Sequence, residues 1–168
     1  MKHRLSATKE QPSKPSIRGI FGFETDFAGT LRCIPMSVRL KLDQVGIKLS
    51  LKQWNRIAAP ERQQLIDRPC GSDPESASFK EYLVRLIETQ ARSEVEYTAV
   101  EESPVWADPQ AMPTRIAAWA EDAGVPPPSA DQWAALTPLQ RFTLFKLTRP
   151  GHSNENFIPA MREFSILP

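Results

Sequence analysis

Residues that start, line and end helices occur in the same order twice in this chain, at a nearly constant separation. The second copy follows the first at a shift of 78 residues, which becomes 79 and then 81 farther along. Between residues 50 and 66, five positions are identical in the two copies, where unrelated segments would share about one. This agreement over some fifty residues favours internal duplication over chance convergence of common helix-capping and proline signals. The matched pairs include Pro35 and Pro113, Gly46 and Gly124, Ser50 and Ser129, Gln53 and Gln132, Trp54 and Trp133, Arg62 and Arg141, and Leu65 and Leu144.

The first copy predicts four short helices. A proline and a glycine bracket the segment 35–45, where Val38, Leu42 and Val45 have the spacing of a buried helical stripe. A capping-box pattern at Ser50 then opens a second helix, because its hydroxyl and the side chain three residues later can pair with free backbone N–H groups. The later helices are predicted to run from Pro60 to the residue before Pro69 and from 77 to 92, the second being the more amphipathic.

Four short helices with one-sided apolar faces cannot bury those faces alone. We therefore predict an all-α (mostly α) fold of two pseudo-symmetric four-helix repeats, packed about a twofold axis as one compact domain, with Trp54 and Trp133 in equivalent core positions. A disordered tail is predicted at residues 1–19, because it has little to bury. The domain would cover 20–168, with repeat one at about 35–92, a linker at 93–112 in which the alternation EVEYTAV allows one short strand, and repeat two at 113–164.

Composition excludes several classes of protein. The net charge of +1 gives no broad basic field, so nucleic acid is not an expected partner. No apolar run approaches the roughly 20 residues that span a bilayer, and no signal peptide precedes the first prolines. Two cysteines are too few for a disulfide scaffold. We expect a cytoplasmic protein that does not bind membranes and carries two reduced thiols.

No catalytic or metal-binding constellation is apparent. The chain lacks a glycine-rich phosphate loop, HExxH and GxSxG. Its histidines are His3, in the tail, and His152, in a turn. Cys33, Cys70 and His152 are isolated in sequence, whereas structural zinc sites use closely spaced ligand pairs. We predict no enzymatic activity, no cofactor and no metal.

Candidate interaction residues lie mainly around the first repeat helix. Arg32, Arg39, Lys41 and Asp43 form either a partner-docking face or an ordinary solvated helix side. Phe21 and Phe23 are suited equally to an interface or to the core. The thiols Cys33 and Cys70, together with His152, complete the candidate set.

Several stretches resemble the nitrate-reductase-associated protein family. They are FETDF at 23–27, LRCIPMSVRLKLDQVGIKLSLKQWN at 31–55, RQQL at 62–65, Pro69-Cys70, and LQRFTLFKLTRPGHSNENFIPAMREF at 139–164. The resemblance implies an accessory protein needed for active assimilatory nitrate reductase, whose partners are that enzyme or its maturation proteins. It brings no catalytic residues.

Nitrate reductases of that type carry an iron–sulfur cluster and a molybdenum cofactor. The resemblance therefore marks Cys33 and Cys70 for transient contact with either group, with docking on the helix from Arg32 to Asp43 and the adjoining FGF segment. Two alternatives stay open. One is an enzyme or small-ligand-binding protein with a pocket between the repeats, lined by Cys70, His152 and arginines. The other is a thiol-based metal or redox sensor.

Overall fold

The computed structural model describes residues 19–151 and 154–168 and is mostly helical, as predicted. The tail predicted at 1–19 lies outside the described residues apart from Gly19, and so does His152. The first helical elements of the described chain are a 3-10 helix at Gly22–Glu24 and a short α-helix, α1, at Thr25–Ala28.

The first half contains the four predicted helices. Pro35 caps the first of them, and Gly46 ends it in the left-handed conformation, with φ 67°. The capping box of Ser50 and Gln53 forms as predicted. The helices are α2 at Met36–Val45, α3 at Leu51–Arg56, α4 at Ala59–Asp67 and α5 at Asp73–Leu86, which continues as a π-helical turn at Ile87–Ala91.

Helix α5 begins four residues earlier than the predicted boundary at 77. Ser72 and Glu75 form a second capping box, in which Ser72 Oγ accepts the Glu75 N–H and the Glu75 carboxylate accepts the Ser72 N–H. Pro74 occupies the first turn, where its missing N–H costs nothing. The polar stretch that predicted a turn is therefore a helix start.

The linker contains the short strand that its alternation allowed. Strand β2, Glu96–Tyr97, pairs antiparallel with strand β1, Ile47–Lys48, with Ile47 opposite Tyr97. This pairing holds the start of the linker against the end of α2.

The second half also contains four helices. Its helices are α6 at Thr114–Asp122, α7 at Ala130–Ala135, α8 at Pro138–Leu147 and α9 at Phe157–Glu163. Helices α7 and α8 both begin with capping boxes, the first at Ser129 and Gln132 and the second at Thr137 and Gln140.

Each half has its own cluster of buried side chains. Trp54 is fully buried in the first cluster and Trp133 in the second. The halves meet where α2 contacts α8, and Phe21, Phe23 and Met36 from the first half pack against the second cluster.

The tryptophans have comparable but not identical surroundings. The Trp54 indole N–H donates to Leu31 O at 2.6 Å, and that of Trp133 donates to Asp108 O at 2.9 Å, so each pins a preceding segment. Arg62 donates to Leu31 O, however, whereas its counterpart Arg141 donates to Leu136 O. The duplication and the twofold axis stay predictions.

Candidate functional site

Helix α2 carries three of the nine candidate residues, Arg39, Lys41 and Asp43, and its buried stripe decides where they point. Val38, Leu42 and Val45 face the first core cluster. Successive residues are rotated by about 100° around a helix, so Arg39 and Lys41 leave α2 on sides roughly 200° apart. The candidate residues of α2 therefore do not form one face.

A buried carboxylate fixes the start of α2. Glu24 is 1% exposed and accepts the Met36 N–H at 2.8 Å and the Phe21 N–H at 3.2 Å. Burial raises the pKa of Glu24 above its ordinary value of 4.5, although both hydrogen bonds and the nearby Arg39 act in the opposite direction. Sequence reasoning missed this residue, because nothing in the local spacing links Glu24 to a helix that begins twelve positions later.

The FGF segment joins the two ends of the described chain. Phe21 stacks on Phe23 at 5.6 Å between ring centroids, and both meet the ring of Phe164 edge-on, at 4.9 and 6.2 Å. The Gly22 and Phe23 N–H groups donate to the carboxylate of Glu163 at 2.8 and 2.9 Å. Phe21 and Phe23 remain half-buried, so they belong to the core edge and still border the surface.

Arg32, Cys33 and Arg39 lie together at the approach to α2. Arg32 and Arg39 are exposed and Cys33 is half-buried. The Arg39 Nε donates to Ile34 O at 3.1 Å, and its guanidinium is close enough to Cys33 to interact electrostatically with that side chain.

Arg149, at the end of α8, adds a further positive charge to this region. Its charge acts on both Arg39 and Arg115, so Arg149 lies near each of these two guanidinium groups. Arg115 is held by its own half, because it donates to Phe145 O at 2.6 Å and lies 3.3 Å from the centroid of the Phe145 ring. The side chain of Arg149 has no acceptor within the described residues.

Lys41 performs a structural task on another side of α2. Its ammonium group donates to the carbonyls of Leu65, Ile66 and Arg68 at 3.1, 2.6 and 2.6 Å, so it caps the end of α4. A cation at this position also interacts favourably with the helix dipole. Burial lowers the pKa of Lys41.

Asp43 links the two halves. Its carboxylate lies 2.9 Å from the Lys146 ammonium group on α8. This ion pair lies where α2 contacts α8.

The two thiols lie in different places. Cys70 is buried beside Lys41, with its sulfur 3.5 Å from Ser76 Oγ, whereas Cys33 lies beside Arg39 on another side of α2. Both are free. Among residues 19–151 and 154–168, no three His, Cys, Asp or Glu side chains are grouped as metal ligands would be.

Two cavities on the described surface are lined by neither Cys70 nor an arginine. One, of about 390 Å³, lies between α2 and the linker. The other, of about 400 Å³, lies between α6 and the start of α9, with Trp119 and Phe157 in its wall. Neither is the pocket expected between the repeats, lined by Cys70, His152 and arginines, of which His152 lies outside the described residues.

Comparison with known proteins gives one match. No curated protein and no solved structure matches the chain. No helix in the described part of the chain is both long and apolar enough to cross a membrane. The model of the conserved nitrate reductase-associated protein family matches residues 20–164, from the residue before the FGF segment to Phe164, whose ring packs on that segment. That match covers most of the chain, which therefore belongs to the conserved nitrate reductase-associated protein family.

Proposed function

We propose that this protein is a non-enzymatic accessory factor that binds assimilatory nitrate reductase or one of its maturation proteins. The observation that carries the proposal is the family match over residues 20–164. Among the described candidate residues, Arg32 and Arg39 are exposed to solvent, as a binding role requires.

The docking surface we propose is the positive region at the approach to α2. Arg32 and Arg39 are exposed there, and Arg149 contributes a third guanidinium from the other half. The half-buried rings of Phe21 and Phe23 border this region and offer apolar contact. A positive surface with an aromatic edge suits an acidic patch on a partner, because complementary charge guides encounter and fixes orientation.

Cys33 is the thiol we assign to contact with the partner or its cofactor supply. It is half-buried within the positive region, whereas Cys70 is buried and its neighbour Lys41 is committed to capping α4. Lys41 and Cys70 support the fold beneath α2 in this proposal.

We also infer that the two halves arose by duplication and pack about a pseudo-twofold axis. Three features support this inference: the order of four helices in each half, the paired capping boxes of α3 and α7, and the two buried tryptophans that donate to preceding carbonyls. The docking region lies where α2 of one half meets α8 of the other.

The test is recovery of the partner from a host growing on nitrate. The immobilised full chain is expected to retain nitrate reductase or its maturation proteins, identified by mass spectrometry. The variant Arg32→Glu should lose most of this recovery, because Arg32 is exposed and has no partner among the described residues. Lys52→Glu makes the same charge change at an exposed position of α3 and should retain it. Absence of the reductase and its maturation proteins from the wild-type sample would contradict the proposal.

A further inference from the structure

A groove of about 390 Å³ separates the second half of α2 from the linker. One wall comes from α2 and the other from the linker between residues 98 and 107. The lining residues on α2 are Leu40, Asp43 and Gln44, and those on the linker include Glu101, Glu102 and Trp106. Its lining does not include Arg32, Arg39 or Arg149 of the positive region proposed above, although Asp43 follows Arg39 by one turn of α2.

An aromatic pair forms the inner end of the groove. Trp106 is 9% exposed and meets Phe142 edge-on, with 5.3 Å between ring centroids and an interplanar angle of 76°. Phe142 is fully buried on α8, so it fixes the indole in place. Trp106 therefore offers a rigid aromatic surface, which is the kind of residue that dominates binding in protein interfaces.

The indole N–H of Trp106 has no acceptor within the described residues. The equivalent groups of Trp54 and Trp133 both donate to backbone carbonyls. The Trp106 nitrogen is also not among the fully buried polar atoms that lack a partner, so it has some access to solvent, and Trp106 lines the groove. A nearly buried donor of this kind beside a groove suits a ligand with a carbonyl acceptor, because buried Trp N–H groups usually find one.

The charged groups that line the groove are all acidic. Glu101 and Glu102 are exposed and have no ion-pair partner among the described residues. The third acid, Asp43, is already paired with Lys146. Two free carboxylates beside an aromatic face favour a cation, since both the ring quadrupole and the negative charges attract it.

Exposed apolar side chains border the same linker. Tyr97, Val100 and Val105 are 60%, 51% and 61% exposed, and they are three of the four large hydrophobic residues most exposed in the described chain. A small cation would leave these side chains in water. A peptide segment would cover them, which adds apolar burial to the charge attraction.

We propose that this groove binds an extended, cationic segment of a protein partner. One lysine or arginine lies over Trp106 between Glu101 and Glu102, a backbone carbonyl of the segment accepts the Trp106 N–H, and neighbouring apolar residues cover Val100 and Val105. The proposal concerns a different surface from the positive region, and it holds whether or not nitrate reductase is the partner there.

The binding test uses a defined probe. A fluorescein-labelled, end-capped decapeptide of alternating arginine and leucine is titrated into the full chain, with polarisation as the readout. We expect saturable binding that weakens by about tenfold or more between 50 and 500 mM salt, because exposed charges are screened over that range. The same peptide with glutamate in place of arginine should not bind.

Two variants locate the binding on the chain. The double substitution Glu101→Lys and Glu102→Lys should lower the affinity for the probe by about tenfold or more, since the charge attraction becomes repulsion. Trp106→Phe should lower the affinity for the probe by about threefold to tenfold, because an aromatic ring is kept while the N–H donor is lost. The matched control, Glu81→Lys with Glu88→Lys on the exposed side of α5 and its π-helical extension, should bind as the wild type does. Urea unfolding of each variant verifies that it is folded.

Three results would overturn the proposal. The first is no binding of the arginine probe to the full chain. The second is equal binding by the Glu101/Glu102 variant and the Glu81/Glu88 control. The third is binding that appears only after removal of residues 1–18, which carry five Lys or Arg and one Glu. That result would assign the groove to the chain's own N-terminal stretch in place of a partner.

Discussion

Substituting the two matched glycines, Gly46 and Gly124, should destabilise the protein by unequal amounts. Both end a helix in the left-handed conformation, with φ of 67° and 72°. Alanine in that conformation costs about 1 kcal/mol relative to glycine, because its Cβ crowds the backbone. Gly124→Ala should therefore lower the free energy of unfolding by about 1 kcal/mol, since a Cβ there meets no atom within 4 Å.

Gly46→Ala has a second cost. A Cβ at Gly46 would lie 2.7 Å from Thr98 O and 2.9 Å from Val100 Cγ2, both in the linker. The Thr98 N–H also donates to Gly46 O at 2.9 Å, so the linker cannot move away without losing that bond. Such overpacking adds about 1–3 kcal/mol, and the total for Gly46→Ala is about 2–4 kcal/mol.

Urea unfolding followed by circular dichroism measures both losses. Asparagine variants separate the two causes, because asparagine tolerates the left-handed region better than alanine does. Gly124→Asn should be nearly neutral, whereas Gly46→Asn should still cost about 1–3 kcal/mol from crowding. Equal losses at the two glycines, within about 0.5 kcal/mol, would refute the close approach of the linker.

Three further changes test other parts of the structure. The pKa of Glu24 is raised in the folded state, so the folded chain binds more protons than the unfolded chain just above pH 4.5. The free energy of unfolding of the wild type, relative to that of Glu24→Gln, should therefore fall as the pH rises from 4.5. Urea unfolding at several pH values from 4.5 to 8 measures this change. Lys41→Met should cost about 2 kcal/mol through the uncapped carbonyls of α4, while Lys52→Met should stay within about 0.5 kcal/mol of wild type in the same assay. Trp54→Phe and Trp133→Phe should each lower the free energy of unfolding by about 2 kcal/mol, and a difference above about 1.5 kcal/mol would argue against equivalent core positions.

The helices could be predicted from the sequence because their signals are local. Pro35 and Gly46 bracket α2, and the capping box of Ser50 and Gln53 opens α3, within one turn of the residues they control. The predicted start of α5 is four residues too late, although Ser72 and Glu75 have the same spacing as Ser50 and Gln53. Polar residues with a proline suit a turn as well as the first turn of a helix.

The candidate site could be predicted only in part, because its contacts join residues far apart in sequence. Arg32 and Arg39 are exposed, as a docking face requires, and whether they bind a partner is still a prediction. Lys41 caps a helix 24 residues later in the chain, and Glu163 holds the FGF segment from 141 positions away. No periodicity in the sequence indicates either contact.

Gly46 connects the stability of α2 with the proposed peptide groove, and this connection gives a final prediction. The sequence marks Gly46 only as a helix end, but the structure shows that the linker backbone also passes close to it, at Thr98. Thr98 lines the groove and is followed by its acidic wall. A side chain at Gly46 should push this wall outward and weaken the arginine probe by about threefold or more, because interface geometry is lost when the backbone shifts by a few tenths of an ångström. Gly124→Asn should not change probe binding, since Gly124 borders no part of the groove. If Gly46→Asn binds the probe as tightly as Gly124→Asn does, the close approach of Thr98 to Gly46 does not set the position of the binding wall.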